Sequence, residues 1–354
     1  MFILTDFPRF PEHSRTSEGI EVRADTILAD MSFKNLFRVL NLVRQADFIL
    51  VQDSIRILGF ACLFWIVPFL KKPVIAVDLI LRSPHTVKQR ILARWKRMLL
   101  SRVDHFIFYF QALQGYEDLY GISPHRSSYV PFKSNMQRNP RVAGLPVVET
   151  EEYVFSAGRS LRDFDTLFDA LTRLNYPAAI PQPNFEQLRR HGARFTWKMD
   201  DLPKNLVLLK DDGTPESWIR NLRRAKVVVI PTLRESLCAS GIGTYLDAMF
   251  LKKCVVISSG PGVSDLLRDE AIIVPPEDAG ALAAAIQKVW EDSTLRSETA
   301  LRGHRYAIAL GGEPELMNRL LGRSMEWYKN ASQSQTARPI ASVSSSPGEP
   351  QRRP

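Results

Sequence analysis

Short apolar runs alternate along most of the chain with longer stretches in which apolar positions recur every third or fourth residue. The first pattern predicts strands buried on both faces and the second predicts helices that cover them, so the chain reads as α/β with parallel sheets. In the first half, strands are predicted over 47–51, 73–79 and 105–109, with helices over 33–44, 86–100 and 111–119. The stretch 138–146 has no period and carries two prolines and a glycine, which marks a domain boundary. Beyond it, strands are predicted over 153–157, 227–231, 254–258 and 271–274, and helices over 163–174 and 279–290. Two domains are therefore expected, 1–140 and 150–312, followed by a helix over 313–330 that returns to the first domain. From 331 to 354 Ser, Gln, Pro and Arg leave too little apolar surface to fold, so a disordered tail is expected.

Charge changes this picture only when it is divided along the chain. Of the net charge of +9, residues 1–145 carry +8, from 20 Lys and Arg against 12 Asp and Glu, and residues 56–102 alone hold ten basic side chains against Asp78. Two features lie in that basic stretch. The apolar run 57–70 is shorter than the roughly 18 residues of a membrane span and predicts a buried helix ended by Pro68. Over 87–100, Val87, Ile91, Leu92, Trp95, Met98 and Leu99 share one side of a helix while Lys88, Arg90, Arg94, Lys96 and Arg97 supply the other. Such a helix either lies on an anionic membrane surface or packs its apolar side on its own domain. No zinc-finger, RNA-recognition or GXXG motif accompanies the basic stretch, so nucleic acid is not an expected partner. Cys62, Cys238 and Cys254 have neither pairing nor metal-ligand spacing and read as reduced thiols, and no basic leader precedes an apolar run at Met1. A cytoplasmic protein, peripheral on the inner membrane face, is the expectation.

Open parallel sheets bind ligands beyond the carboxyl ends of their strands, where glycine turns and helix N-termini present backbone N–H groups to anions. Three loops of the second half have that form. The first, Ser156-Ala157-Gly158-Arg159-Ser160-Leu161-Arg162-Asp163, puts two arginines before a helix, fit to fork onto a diphosphate. Its acid-x-acid string Asp163-Phe164-Asp165 is explained as a helix cap and a first-turn acid, so no metal role is assigned. The second runs from Pro231 through Glu235, Ser240, Gly241, Gly243 and Thr244 to Asp247. The third, Ser258-Ser259-Gly260-Pro261-Gly262-Val263-Ser264-Asp265, offers Ser264 as a cap.

These loops together resemble the donor half of the retaining glycosyltransferases of the GT-B architecture, glycosyltransferase family 4 (group 1) in particular. The resemblance runs from Tyr153 to about Gly303 and rests on the Gly158-Arg159 turn, on Asp247-Ala248-Met249 followed by Lys252-Lys253-Cys254-Val255-Val256-Ile257, and on Ala271-Ile272-Ile273-Val274-Pro275-Pro276-Glu277-Asp278. It implies two facing Rossmann-like domains with a deep cleft between them and transfer of a hexose-type sugar, with retention, from a nucleotide-diphosphate donor to a glycan or lipid-linked acceptor hydroxyl. It implies catalytic roles for Arg159, Arg162 and Glu235, with Gly158, Ser240, Gly241, Gly243, Thr244 and Asp247 binding the donor. Neither a metal nor a further cofactor is implied.

The chain departs from the family in three places. The family's paired acids stand eight positions apart, whereas Ala239 lies eight before Asp247 and Glu235 twelve. Where the family has a histidine after a first-domain strand, this chain has Asp78, with His85 seven residues on. A glycine-rich loop after the first strand is missing. Two other readings therefore stay open: a nucleotide-sugar epimerase, and a membrane-surface scaffold that keeps the fold without turnover.

Overall fold

The computed structural model describes residues 1–15, 19–30, 36–138, 152–210 and 212–336. The boundary expected over 138–146 falls outside them apart from Arg138, as does the tail beyond 336. In chain order the first domain comprises β1 (Phe2–Thr5), β2 (His13–Arg15), β3 (Glu21–Asp25), α1 (Leu36–Gln45), β4 (Phe48–Val51), α2 (Ser54–Ile66), β5 (Val74–Val77), α3 (Val87–Leu100), β6 (His105–Phe108), α4 (Gln114–Tyr120) and β7 (Ser127–Tyr129). The second comprises β8 (Val154–Ser156), α5 (Phe164–Leu171), β9 (Ala178–Pro181), α6 (Phe185–Arg190), β10 (Leu206–Leu209), α7 (Pro215–Arg224), β11 (Val227–Ile230), α8 (Ile242–Phe250), β12 (Cys254–Ser258), β13 (Ile272–Val274), α9 (Ala279–Glu291) and α10 (Ser293–Ala309), and α11 (Glu313–Thr336) follows.

Each domain has one sheet. The first is ordered β2-β3-β1-β4-β5-β6-β7, parallel except where β2 pairs antiparallel with β3, and the second is β10-β9-β8-β11-β12-β13, parallel throughout. Every residue of β4, β5, β6, β11 and β12 is buried, as the unbroken apolar runs require of strands covered on both sides. Helices α1 to α4 cover one face of the first sheet through Val39, Val43, Phe60, Phe64, Leu100 and Tyr116. The other face is covered from the far end of the chain: Leu316, Leu320 and Met325 of α11 pack on Ile3, Phe48, Ile75 and Ile107. Trp327 stacks on His105 and Tyr328 lies against Phe48.

Three expectations need correction. The run 57–70 is not a fully buried helix: α2 is capped by Asp53, whose carboxylate accepts from the N–H groups of Ile55 and Arg56, and it fully buries only Ile57, Phe60, Ala61 and Phe64. The helix predicted over 163–174 stops at Leu171. Residues 331–336, assigned to the tail, continue α11.

Candidate functional site

The carboxyl ends of the central second-domain strands β8 and β11 open into the two loops that meet at Arg162. After β8 the chain turns sharply at Gly158, with φ +110°, where a Cβ would stand 2.5 Å from Arg162 Nη2 and only glycine fits. Leu161 adopts the left-handed region at φ 52°, held by its N–H to His191 O and by its carbonyl, which accepts from Leu233 N. That turn buries the leucine side chain against the first domain and sends Arg162 back beneath the glycine. Its Nε donates to Ala157 O at 3.0 Å, Nη1 to Ser160 O at 3.0 Å and Nη2 to Thr244 Oγ1 at 3.1 Å. The guanidinium is 2% exposed, and among the described residues no carboxylate forms an ion pair with it. Burial lowers its pKa to about 10. Arg159 takes another direction, outward onto α6, where Nη1 donates to Gln187 Oε1 at 2.7 Å. Asp163 caps α5 by accepting from Thr166 N and pairs with Arg194, so this acid is used structurally, as expected.

Helix α8 begins on the other side of the same guanidinium. Its cap is Gly241, φ +98°, with no side-chain cap bond and no acid in the first turn, so the positive end of the helix is left uncompensated by side chains. A Cβ on Gly241 would meet Ile230 Cγ2 at 2.9 Å and Arg162 Nη2 at 3.4 Å. Gly158, Arg162, Gly241 and Thr244 thus form one cationic corner. Gly243 faces Asn135 of the segment after β7, whose Nδ2 would lie 3.5 Å from an added Cβ. One turn further on, Asp247 is buried with Oδ1 accepting from Asn135 N at 3.3 Å and Oδ2 from Trp218 Nε1 at 3.1 Å. Burial raises its pKa to about 6 against the opposing pull of those bonds. Asn135 and Trp218 were not anticipated.

The loop from Leu233 to Ala239 crosses to the first domain. Leu233 and Cys238 lie in one buried cluster with Leu79, Leu81, Phe110 and Tyr116, joined by Leu161. Ser240 is buried beside them, its hydroxyl 2.8 Å from Ser236 Oγ and 3.5 Å from Cys238 Sγ. Glu235 sits at this junction, Oε1 3.3 Å from His85 Nε2, while its carbonyl accepts from Ser83 Oγ. Asp78 follows β5 with a left-handed φ of 48°, and burial raises its pKa to about 7. The third loop also bridges the domains: Asp265 Oδ2 accepts from Gln111 N at 2.6 Å and Ala112 N at 3.1 Å. Ser264 caps no helix here, since 261–266 is a series of turns, and its hydroxyl instead accepts from Gly260 N.

Residues 201–292, spanning β10 to α9, match the family model described as glycosyl transferases group 1. No curated protein sequence matches the chain. Among solved structures, sucrose-phosphate synthase from Thermosynechococcus elongatus aligns with a TM-score of 0.58 at 16% identity over 94% of this chain and 89% of that one. HepE of Anabaena, solved with UDP and glucose, aligns at 0.58 and 13% over 89% and 86%. The α,α-trehalose 6-phosphate synthase of Burkholderia multivorans aligns at 0.55 and 15% over 88% and 79%. The chain therefore has the two-domain GT-B fold of these glycosyltransferases, and its group 1 segment contains the loop and helix that carry Gly241, Thr244 and Asp247.

Proposed function

We propose that the protein is a glycosyltransferase that moves a hexose-type sugar from a nucleotide diphosphate to an acceptor hydroxyl with retention of configuration. The observation that carries this reading is Arg162, a guanidinium 2% exposed and without a carboxylate partner among the described residues, wedged between two positive-φ glycines at a helix N-terminus. A buried cation without a counter-charge is costly, and an anion bound beside it relieves the cost. A diphosphate suits the corner in charge and in its need for backbone N–H donors. As the glycosidic bond breaks, negative charge grows on the departing diphosphate, so these fixed donors stabilise the transition state more than the ground state. The acceptor hydroxyl then attacks the face of the sugar that the diphosphate leaves.

In this reading Asp247 receives the ribose hydroxyls on the carboxylate lone pairs left over by Trp218 and Asn135, and Gly243 and Thr244 line the diphosphate. Glu235 and Asp78 lie toward the first domain, on the acceptor side. The HepE structures with UDP and with UDP-glucose support a uridine diphosphate donor. The test is thermal unfolding with UDP, GDP and ADP, followed by turnover on a panel of nucleotide sugars. Stabilisation by one nucleotide and release of that nucleotide only when an acceptor is present are expected. No stabilisation by any of them removes the reading, and product formed from donor alone makes the protein an epimerase instead.

A further inference from the structure

We infer that the first domain docks on an anionic lipid bilayer through the outer faces of α2 and α3 and the turn between α2 and β5. The docking surface rests on the orientation of these helices, and only the acceptor it would present rests on the glycosyl-transfer reading. Helix α3 is amphipathic, but it is turned the wrong way round for a helix that serves only its own core. It packs inward through Ala93, Leu99 and Leu100, and the apolar side chains of its N-terminal two turns point to solvent: Val87 is 73% and Trp95 58% exposed, with Ile91 and Leu92 exposed between them. Its neighbour α2 buries Ile57, Phe60, Ala61 and Phe64 and leaves Ile55 80% exposed, with Trp65 and Ile66 also outward. Phe69, in the 3-10 turn Pro68–Leu70 that follows, is 84% exposed.

Isolated exposed apolar residues are ordinary, but two adjacent helices and a turn that each expose large apolar side chains, two tryptophans included, mark an interaction surface. Charge identifies the occupant. Neither α2 nor α3 carries an acid, and Lys88, Arg90 and Arg94 stand exposed around the stripe on α3. Apolar side chains in the middle with cations at the edge fit a surface whose interior is hydrocarbon and whose rim is phosphate. The same face runs up to the domain junction. Both helices start at the carboxyl ends of their strands, and His85, two residues before α3, meets Glu235 of the second domain. A lipid-borne acceptor would thus be presented at the end of the molecule where the two domains meet.

The test is co-sedimentation of the full chain with vesicles of phosphatidylcholine containing about one-third phosphatidylglycerol, and with pure phosphatidylcholine vesicles. Binding to the anionic vesicles only, weakened by salt, is expected. Ile91→Ser with Trp95→Ser should weaken it at least about tenfold, and Lys88→Ser, Arg90→Ser and Arg94→Ser about fivefold each. These positions are exposed, so the unfolding temperature of each variant should match the parent. Equal binding to neutral vesicles, no binding, or retention by the Ile91/Trp95 variant overturns the inference. So does a concentration-dependent dimer that the same variant dissolves, which would make a second copy the occupant. A parent that sediments with anionic vesicles yet is stabilised by no nucleotide leaves the docking surface standing and removes the transfer reading.

Discussion

Replacing Arg162 by methionine separates a ligand-binding cation from a structural strut. The three hydrogen bonds from the guanidinium to Ala157 O, Ser160 O and Thr244 Oγ1 contribute roughly 1.5–3 kcal/mol each, as bonds from a charged donor do. Against them stands the desolvation of a cation without a carboxylate partner among the described residues, an effective cost of several kcal/mol. The two nearly cancel, and methionine refills most of the apolar volume, so without nucleotide the unfolding free energy should change by no more than about 2 kcal/mol. Nucleotide binding loses a charge-assisted contact of roughly 2–3 kcal/mol, a factor of about 30 to 150 in Kd. The assay is denaturant unfolding with and without the nucleotide that stabilises the parent. At a concentration of 100 times the parent Kd, stabilisation of about 2.7 kcal/mol should fall below about 1 kcal/mol. A variant that keeps the full nucleotide effect while losing more than about 5 kcal/mol on its own refutes the reasoning, because Arg162 would then only tie the Gly158 turn to α8.

Asp247, with a pKa raised to about 6 by burial, should accept ribose hydroxyls only when ionised, so nucleotide affinity measured by titration calorimetry should fall as pH drops below about 6; a flat profile from pH 5 to 8 contradicts its placement. Asp78 is a weaker acid folded, at about 7, than unfolded, at 3.8, so its contribution to stability is full below pH 3.8, declines as pH rises to 7 and is constant above. Asp78→Asn should therefore be more stable than the parent above pH 7, by no more than about 4 kcal/mol, and equal to it near pH 4; denaturant midpoints at the two pH values check this. Leu320→Ala, on the α11 face that covers β1 and β4, should cost about 2–5 kcal/mol, and a cost under about 1 kcal/mol would mean that α11 is not part of the first domain's core.

The sheets were legible where buried strands form unbroken runs of large apolar residues. Phe48–Val51, Val74–Val77, His105–Phe108, Val227–Ile230 and Cys254–Ser258 are unbroken apolar or aromatic runs, and each lies within about two residues of its predicted position. Among the strands not predicted, β2 shows the exposed string His13-Ser14-Arg15 and β10 is only half-buried between Lys204 and Lys210, whereas β9 is buried but its short string Ala178-Ala179-Ile180 is bracketed by Pro177 and Pro181, which break the apolar run. The orientation of α3 was legible as an amphipathic period but not in its sense. Periodicity states that a helix has two sides and is silent on which of them meets the sheet. The inward side carries Ala93 and Leu100, a packing fact that only three dimensions supply.

The site was legible as loops and illegible as geometry, and Leu161 shows why. Nothing in Arg159-Ser160-Leu161-Arg162 signals that the leucine takes a left-handed turn, since a non-glycine residue there is strained and propensity argues against it. The strain is offset across the domain junction, where the Leu161 side chain joins Leu79, Leu81, Leu233 and Cys238 in one buried cluster. That contact turns Arg162 inward beneath Gly158 and leaves Arg159 facing Gln187, so two arginines three residues apart in the chain acquire different surroundings. Between Glu235 and Asp247, Leu237, Cys238 and Ala239 join the same cluster. Placement of the cation and packing of the domain junction are therefore coupled, and a substitution at Leu161 or Cys238 should perturb the anion corner without touching any residue that contacts the anion.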